Sequence, residues 1–169
     1  MRGKNYREPK GQPYARVEYI HGPPQSKITK FVMGDVRGLF QYCLLLKAKR
    51  SAQIRHNALE ATRVAVNKAL LNKLGEGEYL VKVRVYPHVV LRENKMLATA
   101  GADRLQEGMR RAFGKPIGRA ARVKPGEVIV EVYVNEHGVE QAKEALKVGS
   151  SKLPIPCKIE IEKMEVAKT

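Results

Sequence analysis

The sequence contains no tryptophan, and aromatic residues make up only 6% of its 169 residues. Proteins that hold single-stranded nucleic acid on a broad stacking surface need many aromatic rings, so this composition argues against such a surface. The sequence also lacks the roughly 18 uninterrupted apolar residues that a membrane-spanning helix needs. Its hydrophobic fraction of 43% is still high enough for a folded core.

Cysteine is scarce as well. Cys43 and Cys157 each lie in an apolar, strand-like run, and neither belongs to a CxxC pair. We expect two buried free thiols, which is typical of a reducing compartment. The opening residues Met1–Lys4 do not have the apolar core of a signal peptide. We therefore expect a cytoplasmic protein.

Motifs for catalysis and cofactor binding are missing. The four histidines are scattered without HExxH or His/Cys ligand spacing, and no P-loop sequence occurs. We expect no metal, no cofactor and no enzymatic activity. The alternative is an RNA-modifying or RNA-cleaving enzyme, for which His56, His88 and Glu60 are the best available catalytic groups.

What the sequence has in excess is positive charge. There are 32 Lys and Arg residues against 17 Asp and Glu, a net charge of +15. The excess is uneven, since residues 1–123 carry +16 and residues 124–169 carry −1. A polyanion, either nucleic acid or an acidic membrane surface, is the expected partner of the first two-thirds. No basic amphipathic helix favours the membrane.

The most basic stretch runs from Arg92 to Lys124 and has only three acidic residues. Its nine basic residues are Arg92, Lys95, Arg104, Arg110, Arg111, Lys115, Arg119, Arg122 and Lys124. Four glycines interrupt it, and we expect Pro116 to prevent a regular element near its end. The pattern predicts a long basic loop between two strands, with glycines that allow close approach to phosphates. A disordered, solvated loop is the alternative.

Residues 1–30 form a second basic segment, rich in proline and glycine. Its candidate RNA-binding residues are Arg2, Lys4, Arg7 and Arg16, and Tyr6, Tyr14 and Tyr19 lie among them. We predict an extended arm on nucleic acid, with arginines on phosphates and tyrosines on sugars or bases. A disordered tail is the alternative, with one short strand at Val17–His21.

Hydrophobic periodicity predicts an α+β fold in one domain, residues 1–169, with two helices packed on a mixed or antiparallel sheet. The helices are predicted at Ser51–Leu74, with Ser51 as N-cap, and at Glu136–Val148. The predicted strands are Phe31–Met33, Tyr42–Ala48, Tyr79–Tyr86, Val89–Leu91, Glu127–Val134 and Cys157–Ile161.

The first helix has one apolar stripe with basic residues beside it. The stripe comprises Ala58, Leu59, Thr62, Ala65, Val66, Ala69 and Leu70. Arg55 and Arg63 lie off the stripe, where a solvated charged face and a phosphate contact are about equally expected. Arg84, on the polar face of the strand that follows, is a further candidate for RNA binding.

Several segments resemble one ribosomal protein family. The text AGADRLQEGMRRAFGKPIGRAARVKPG (Ala100–Gly126) resembles the large-subunit protein called L-ten-e in archaea and eukaryotes, which is homologous to bacterial L-sixteen. The segments Ala58–Arg63 and Val83–His88 are also similar, as are EAL at 144–146 and KLP at 152–154. The chain ends without the extension of eukaryotic members, so the resemblance is to archaeal ones.

The resemblance implies more than composition does. It implies an α+β sandwich with a hammerhead-like β excursion, bound to large-subunit rRNA at the base of the central protuberance. It also implies neighbouring ribosomal proteins as partners, and a basic loop at about Leu97–Arg119 that reaches toward tRNA and the peptidyl-transferase region. The residues carried over for RNA contact are Arg104, Arg110, Arg111, Lys115 and Arg119, with Arg92 and Lys95 at the loop's hinge.

Overall fold

The computed structural model describes residues 8–12, 15–95, 110 and 112–164. Within these residues the chain forms eight strands and two α-helices. The strands are β1 (Val32–Gly34), β2 (Tyr42–Ala48), β3 (Ala52–Arg55), β4 (Tyr79–Val83), β5 (Val89–Glu93), β6 (Lys115–Val123), β7 (Val128–Val134) and β8 (Cys157–Lys163). The helices are α1 (His56–Leu74) and α2 (Val139–Ser150), and a 3₁₀ turn at Glu136–Gly138 leads into α2.

The strands form two antiparallel sheets. The five-stranded sheet has the order β1-β4-β7-β2-β8, and the three-stranded sheet has the order β3-β6-β5. In the five-stranded sheet, Leu44 of β2 is opposite Val132 of β7 and Ile161 of β8. The predicted α+β class is confirmed, and the strands are divided between two antiparallel sheets.

One hydrophobic core joins both sheets. Helices α1 and α2 pack against each other; α1 also contacts β3, β4 and β6, and α2 contacts β2, β7 and β8. Leu44 and Val81 of the five-stranded sheet belong to the same buried cluster as Ile54 and Val123 of the three-stranded sheet. The predicted stripe of α1 is confirmed at its centre, where Leu59, Thr62, Val66 and Leu70 are buried, and the flanking Ala58, Ala65 and Ala69 are half-buried. Helix α1 is therefore the element that ties the two sheets together.

The predicted start of the first helix is wrong. Residues Ala52–Arg55 form strand β3, and α1 begins only at His56. The residues of β3 alternate between buried and half-buried, with Ala52 and Ile54 on the buried side. They pair with Ala120–Val123 of β6, and these tertiary hydrogen bonds outweigh the local helix signal.

Part of the predicted basic loop is also wrong, because Lys115–Val123 form strand β6. Pro116 lies inside this strand, opposite Arg92 and beside a register shift in β5. Strand β3 pairs only with Ala120–Val123, so β6 has one neighbour at Pro116. Proline is tolerated where one side of a strand is open, since its missing N–H interrupts no ladder there.

Smaller boundaries differ from the prediction. Val17–His21 do not form a strand, and Arg16 makes an isolated bridge with Val89 instead. The predicted strand Tyr79–Tyr86 ends at Val83. Strand β2 has the predicted bounds, Tyr42–Ala48. Both cysteines are free, as predicted, but only Cys43 is buried, and Cys157 is half-buried near the start of the edge strand β8. Burial raises the pKa of the Cys43 thiol to about 11.

Candidate nucleic-acid interface

Three arginines around the three-stranded sheet donate to backbone carbonyls. Arg92 Nη1 donates to Phe113 O at 2.8 Å, and Arg119 Nε donates to Pro24 O at 2.9 Å. Arg122 Nη1 donates to Gly11 O at 2.8 Å. A carbonyl oxygen orients a guanidinium but carries no net charge. These carbonyl-bound arginines, Arg92, Arg119 and Arg122, therefore keep their positive charge.

The same bonds hold the N-terminal segment against the sheet. Gly11 and Pro24 both belong to the basic segment 1–30, and Val17 N–H donates to His88 O at 3.2 Å. Ile28, at the end of the segment, is buried in the main core. The described part of the predicted arm thus lies on the protein's own three-stranded sheet, where it adds its basic residues to those of β5 and β6.

A buried histidine lies among further cations where β3 passes into α1. His56 is only 6% exposed, and its Nδ1 accepts a hydrogen bond from Lys27 N at 2.9 Å. Burial lowers the pKa of His56, and the charges of Arg55, Arg119 and Lys27 lower it further. The surroundings of His56 therefore disfavour its protonated form.

Several cations on the five-stranded sheet and the helices have carboxylate partners instead. Lys47 Nζ lies 2.5 Å from Glu160 Oε2, and this hydrogen bond lowers the pKa of the Glu160 carboxyl. The pairs on this side are Lys47–Glu160, Arg63–Glu60, Lys73–Glu144, Arg84–Glu131, Lys143–Glu140 and Lys158–Glu160. Among the described residues, no ion pair includes a carbonyl-bound arginine. The carbonyl-bound arginines around the three-stranded sheet therefore differ from these paired cations in having neutral acceptors.

Comparison with known proteins places the chain in a family. The model of the family described as ribosomal protein L16p/L10e matches residues 9–160. The chain belongs to this family. The large ribosomal subunit protein uL16 of Staphylothermus marinus is 60% identical over 149 residues, which cover 88% of this chain and 86% of that protein. The resemblance seen in the sequence is thus confirmed.

Two other archaeal relatives have similar extents. The large ribosomal subunit protein uL16 of Hyperthermus butylicus is 58% identical over 151 residues, 89% of this chain and 84% of that protein. The protein of the same name from Sulfolobus acidocaldarius is 57% identical over 161 residues, 94% of this chain and 92% of that protein. This L16p/L10e chain therefore matches its archaeal relatives over most of their length.

The candidate RNA-binding residues fall into three groups in this L16p/L10e protein. Some lie outside the described residues: Arg2, Lys4, Arg7, Arg104 and Arg111. Others surround the three-stranded sheet: Arg16, Arg55, Arg92, Lys95, Arg110, Lys115, Arg119 and Arg122. Of these, Lys95, Arg110 and Lys115 are exposed. Arg63 and Arg84 form the third group, on the side of the five-stranded sheet, and their guanidinium groups are paired with Glu60 and Glu131.

A groove lies where the N-terminal segment meets the turn between β6 and β7. Its volume is about 910 Å³, and its lining includes Pro9, Ser51, Arg122, Lys124 and Glu127. The buried Nε of Arg122 has no hydrogen-bond partner among the described residues. The groove extends the basic face toward the end of β6.

The three candidate catalytic groups have separate partners. His56 accepts from Lys27 N, the Nδ1 of His88 lies 3.1 Å from Tyr86 O, and Glu60 is paired with Arg63. In residues 8–12, 15–95, 110 and 112–164, no three His, Cys, Asp or Glu side chains are arranged to hold a metal ion. No helix in the same residues is long and apolar enough to cross a membrane.

Sequence reasoning missed two features of this face. Lys27 was not singled out, because only the fold brings it beside His56. Phe113 was not singled out either, although its ring is exposed and lies against Arg92. The sequence could have indicated that Phe113 is exposed, because it lies between Arg110 and Lys115 and charged residues are mostly on the surface.

Proposed function

We propose that this chain is a structural constituent of the large ribosomal subunit and binds large-subunit rRNA through the face around the three-stranded sheet. The observation that carries the proposal is the way this face holds its cations. Arg92, Arg119 and Arg122 are oriented by carbonyl oxygens that leave their charge available. Membership of the L16p/L10e family and relatives named large ribosomal subunit protein support the ribosomal assignment.

The mechanism is electrostatic rather than catalytic. Each Lys or Arg that meets a phosphate releases condensed counterions, so affinity falls steeply as salt rises. Arginines that are already fixed by carbonyls lose less side-chain freedom on binding than free ones. Phosphate contacts of this kind set position and register on the RNA and carry no sequence information themselves.

The finer assignment concerns location and tRNA. We infer that the protein binds at the base of the central protuberance and supports A-site and P-site tRNA near the peptidyl-transferase centre. The support is the family resemblance, together with the basic residues of the segment between β5 and β6. Neighbouring large-subunit proteins are the expected partners elsewhere, and the ribosome in the cytoplasm is the expected location.

The test compares two double variants of equal charge change. Arg110→Ala with Lys115→Ala removes two exposed cations beside the three-stranded sheet. Lys73→Ala with Lys143→Ala removes two cations that are paired with Glu144 and Glu140. Affinity for large-subunit rRNA is measured from low to high salt. The first variant should lower the salt slope by about 0.7–0.9 for each phosphate that it no longer neutralises, and the second should leave the slope unchanged.

Sedimentation of cell lysate gives the matching result in the cell. The wild-type chain should run with the large subunit and stay there at moderate salt, whereas the first double variant should be released at lower salt. Equal slopes and equal release for the two variants would show that this face does not bind rRNA. A wild-type chain at the top of the gradient would refute the ribosomal role itself.

A further inference from the structure

Phe113 has an exposed aromatic ring in a cationic setting. The residue is 61% exposed, and it lies shortly before β6, between the exposed cations Arg110 and Lys115. The guanidinium carbon of Arg92 is 3.6 Å from the centre of the ring. The exposed ring is therefore available to a partner, with cations beside it.

Arg92 is fixed at two points, so it covers the same side of the ring permanently. Its Nη1 donates to Phe113 O at 2.8 Å while its guanidinium stacks on the Phe113 ring. One face of the ring is thus occupied by a cation. Because 61% of the residue is exposed even with this contact, much of the ring remains accessible to solvent. The arrangement presents an exposed aromatic surface with a cation stacked on it.

Tyr19 repeats this arrangement at the other end of β5. The guanidinium carbon of Arg16 is 5.0 Å from the centre of the Tyr19 ring, and Tyr19 is 65% exposed. Arg16 bridges to Val89, the first residue of β5, whereas Arg92 lies near the end of that strand. We call Phe113 and Tyr19 the two arginine-backed rings.

A third cation–aromatic pair differs in the burial of its ring and in the charge beside it. Lys82 Nζ is 5.0 Å from the centre of the Tyr133 ring, on the five-stranded sheet. Tyr133 is half-buried, and its hydroxyl donates to Glu131, whose side chain is only 12% exposed. That ring is built into the protein and has a carboxylate beside it. Only the rings around the three-stranded sheet combine an open face with unneutralised cations, among the described residues.

We propose that the two arginine-backed rings stack on unpaired bases of rRNA, an inference that rests on the rRNA binding proposed above. A nucleobase offers a flat π-face to the ring, and its phosphates meet the neighbouring cations. A protein partner would need an apolar or acidic surface there. Val89, the bridge partner of Arg16, is three steps along β5 from Arg92, about 10 Å, against about 3.4 Å between stacked bases. We therefore expect the rings to stack on two different bases.

The test uses Phe113→Ala, Phe113→Leu and Phe113→Tyr, since an exposed residue can be changed without unfolding the protein. Affinity for in-vitro-transcribed large-subunit rRNA is measured over a range of salt. Loss of the ring should weaken binding about 5- to 150-fold for the alanine variant. The leucine variant should stay weak because it has no aromatic face, and the tyrosine variant should recover. The salt slope should be the same for all, since the phosphate contacts are the same in every variant.

The control is Tyr86→Ala. Tyr86 is 55% exposed, but its ring packs beside Phe31 at a centroid distance of 5.6 Å rather than on an arginine. Its removal should leave affinity unchanged, whereas Tyr19→Ala should weaken binding as Phe113→Ala does.

The possible failures are distinguishable. If the wild type binds rRNA and Phe113→Ala binds equally well, stacking is refuted and the rRNA function stands. If leucine restores binding, or if the salt slope changes with the ring, the contact is apolar or electrostatic and stacking is again refuted. If the wild type binds no rRNA, the proposed function and this inference fail together.

Discussion

The two sheets hold their basic side chains in different ways. On the five-stranded sheet and the helices, six of the described Lys and Arg side chains are paired with carboxylates, as Lys47 is with Glu160 and Arg84 with Glu131. Around the three-stranded sheet, the carbonyl-bound arginines donate to neutral oxygens. Both arrangements fix a side chain, but only the second leaves its charge available to a polyanion.

This difference refines what charge counting predicts. Residues 1–123 carry +16 and residues 124–169 carry −1, which assigns the polyanion to the whole first part. In the fold, acids from the last third neutralise cations from the first part on the five-stranded side. The pairs that cross in this way are Lys47–Glu160, Lys73–Glu144 and Arg84–Glu131. Tertiary pairing thus neutralises part of the charge of residues 1–123, which no count along the sequence can show.

The largest effect should come from breaking the core that the two sheets share. Ile54→Ala in β3 and Leu44→Ala in β2 each remove a fully buried side chain from one cluster. Each should lower the free energy of unfolding by about 2–5 kcal/mol. Because α1 contacts both sheets, denaturant unfolding should remain one transition for both variants.

Val64→Ala is the matched control, since Val64 lies on α1 but is 46% exposed. It should change the free energy of unfolding by no more than about 0.5 kcal/mol. Two separate transitions, with Ile54→Ala shifting only one of them, would mean that the sheets are independent units. In that case the two sheets, with their different ways of holding cations, would be independently folding units.

The sequence predicts the elements of the five-stranded sheet better than those of the three-stranded sheet. Strand β2 has a continuous apolar run, and its bounds are correct. Strands β3 and β6 were both missed, and the two errors have one cause. Ala52–Arg55 and Ala120–Val123 are stabilised by pairing with each other across about 70 residues of chain, so neither segment has a clear local signal.

The candidate interface was predicted in composition but not in arrangement. Arg92, Arg119 and Arg122 were named from the basic stretch, and all three lie around one sheet. Their carbonyl acceptors come from distant residues such as Gly11 and Pro24, which periodicity and motif spacing do not reveal. Arg63 was a candidate as well, but Glu60, one turn away on the same helix, is its partner.

Substitutions of Gly114 and Gly126 should lower the free energy of unfolding by intermediate amounts, and the two amounts should differ. Gly114 has φ of 77°, and a Cβ there would lie 2.7 Å from the Glu93 carbonyl carbon. Gly126 has φ of 83°, with no atom within 4 Å of the same position. Gly126→Ala should cost about 1–2 kcal/mol of unfolding free energy from backbone strain alone. Gly114→Ala should cost more, roughly 3 kcal/mol, because β5 and β6 must also move apart.

Chemical denaturation of the two variants measures this difference directly. The Gly114 variant should also weaken rRNA binding, since the shift displaces Phe113 and Arg92, and the Gly126 variant should not. Equal destabilisation would mean that the close approach of β5 and β6 at Gly114 does not constrain the sheet. If the Gly114 variant is destabilised but binds rRNA as well as the wild type does, this end of β5 does not contribute to the interface.

The smallest effect tests the unneutralised charge itself, through His56. Burial, followed by the charges of Arg55, Arg119 and Lys27, lowers the pKa of His56 in the folded state. The unfolded chain therefore binds a proton at His56 more readily than the folded protein does. The contribution of His56 to folding stability is fully present above pH 6.5 and is lost as pH falls from there toward the folded-state pKa. One such group changes the unfolding free energy by at most about 1.4 kcal/mol per pH unit.

His56→Gln isolates this contribution, because the glutamine oxygen can still accept from Lys27 N. The measurement is unfolding free energy from pH 8 to pH 5, at 0.1 M and 1 M salt. The wild type should lose stability more steeply than the variant as pH falls. High salt should reduce that difference only in part, because it screens the three cations while burial, the larger cause, remains. Equal slopes for wild type and variant would mean that folding does not lower the pKa of His56, and a difference that salt leaves unchanged would mean that the three cations do not contribute to it.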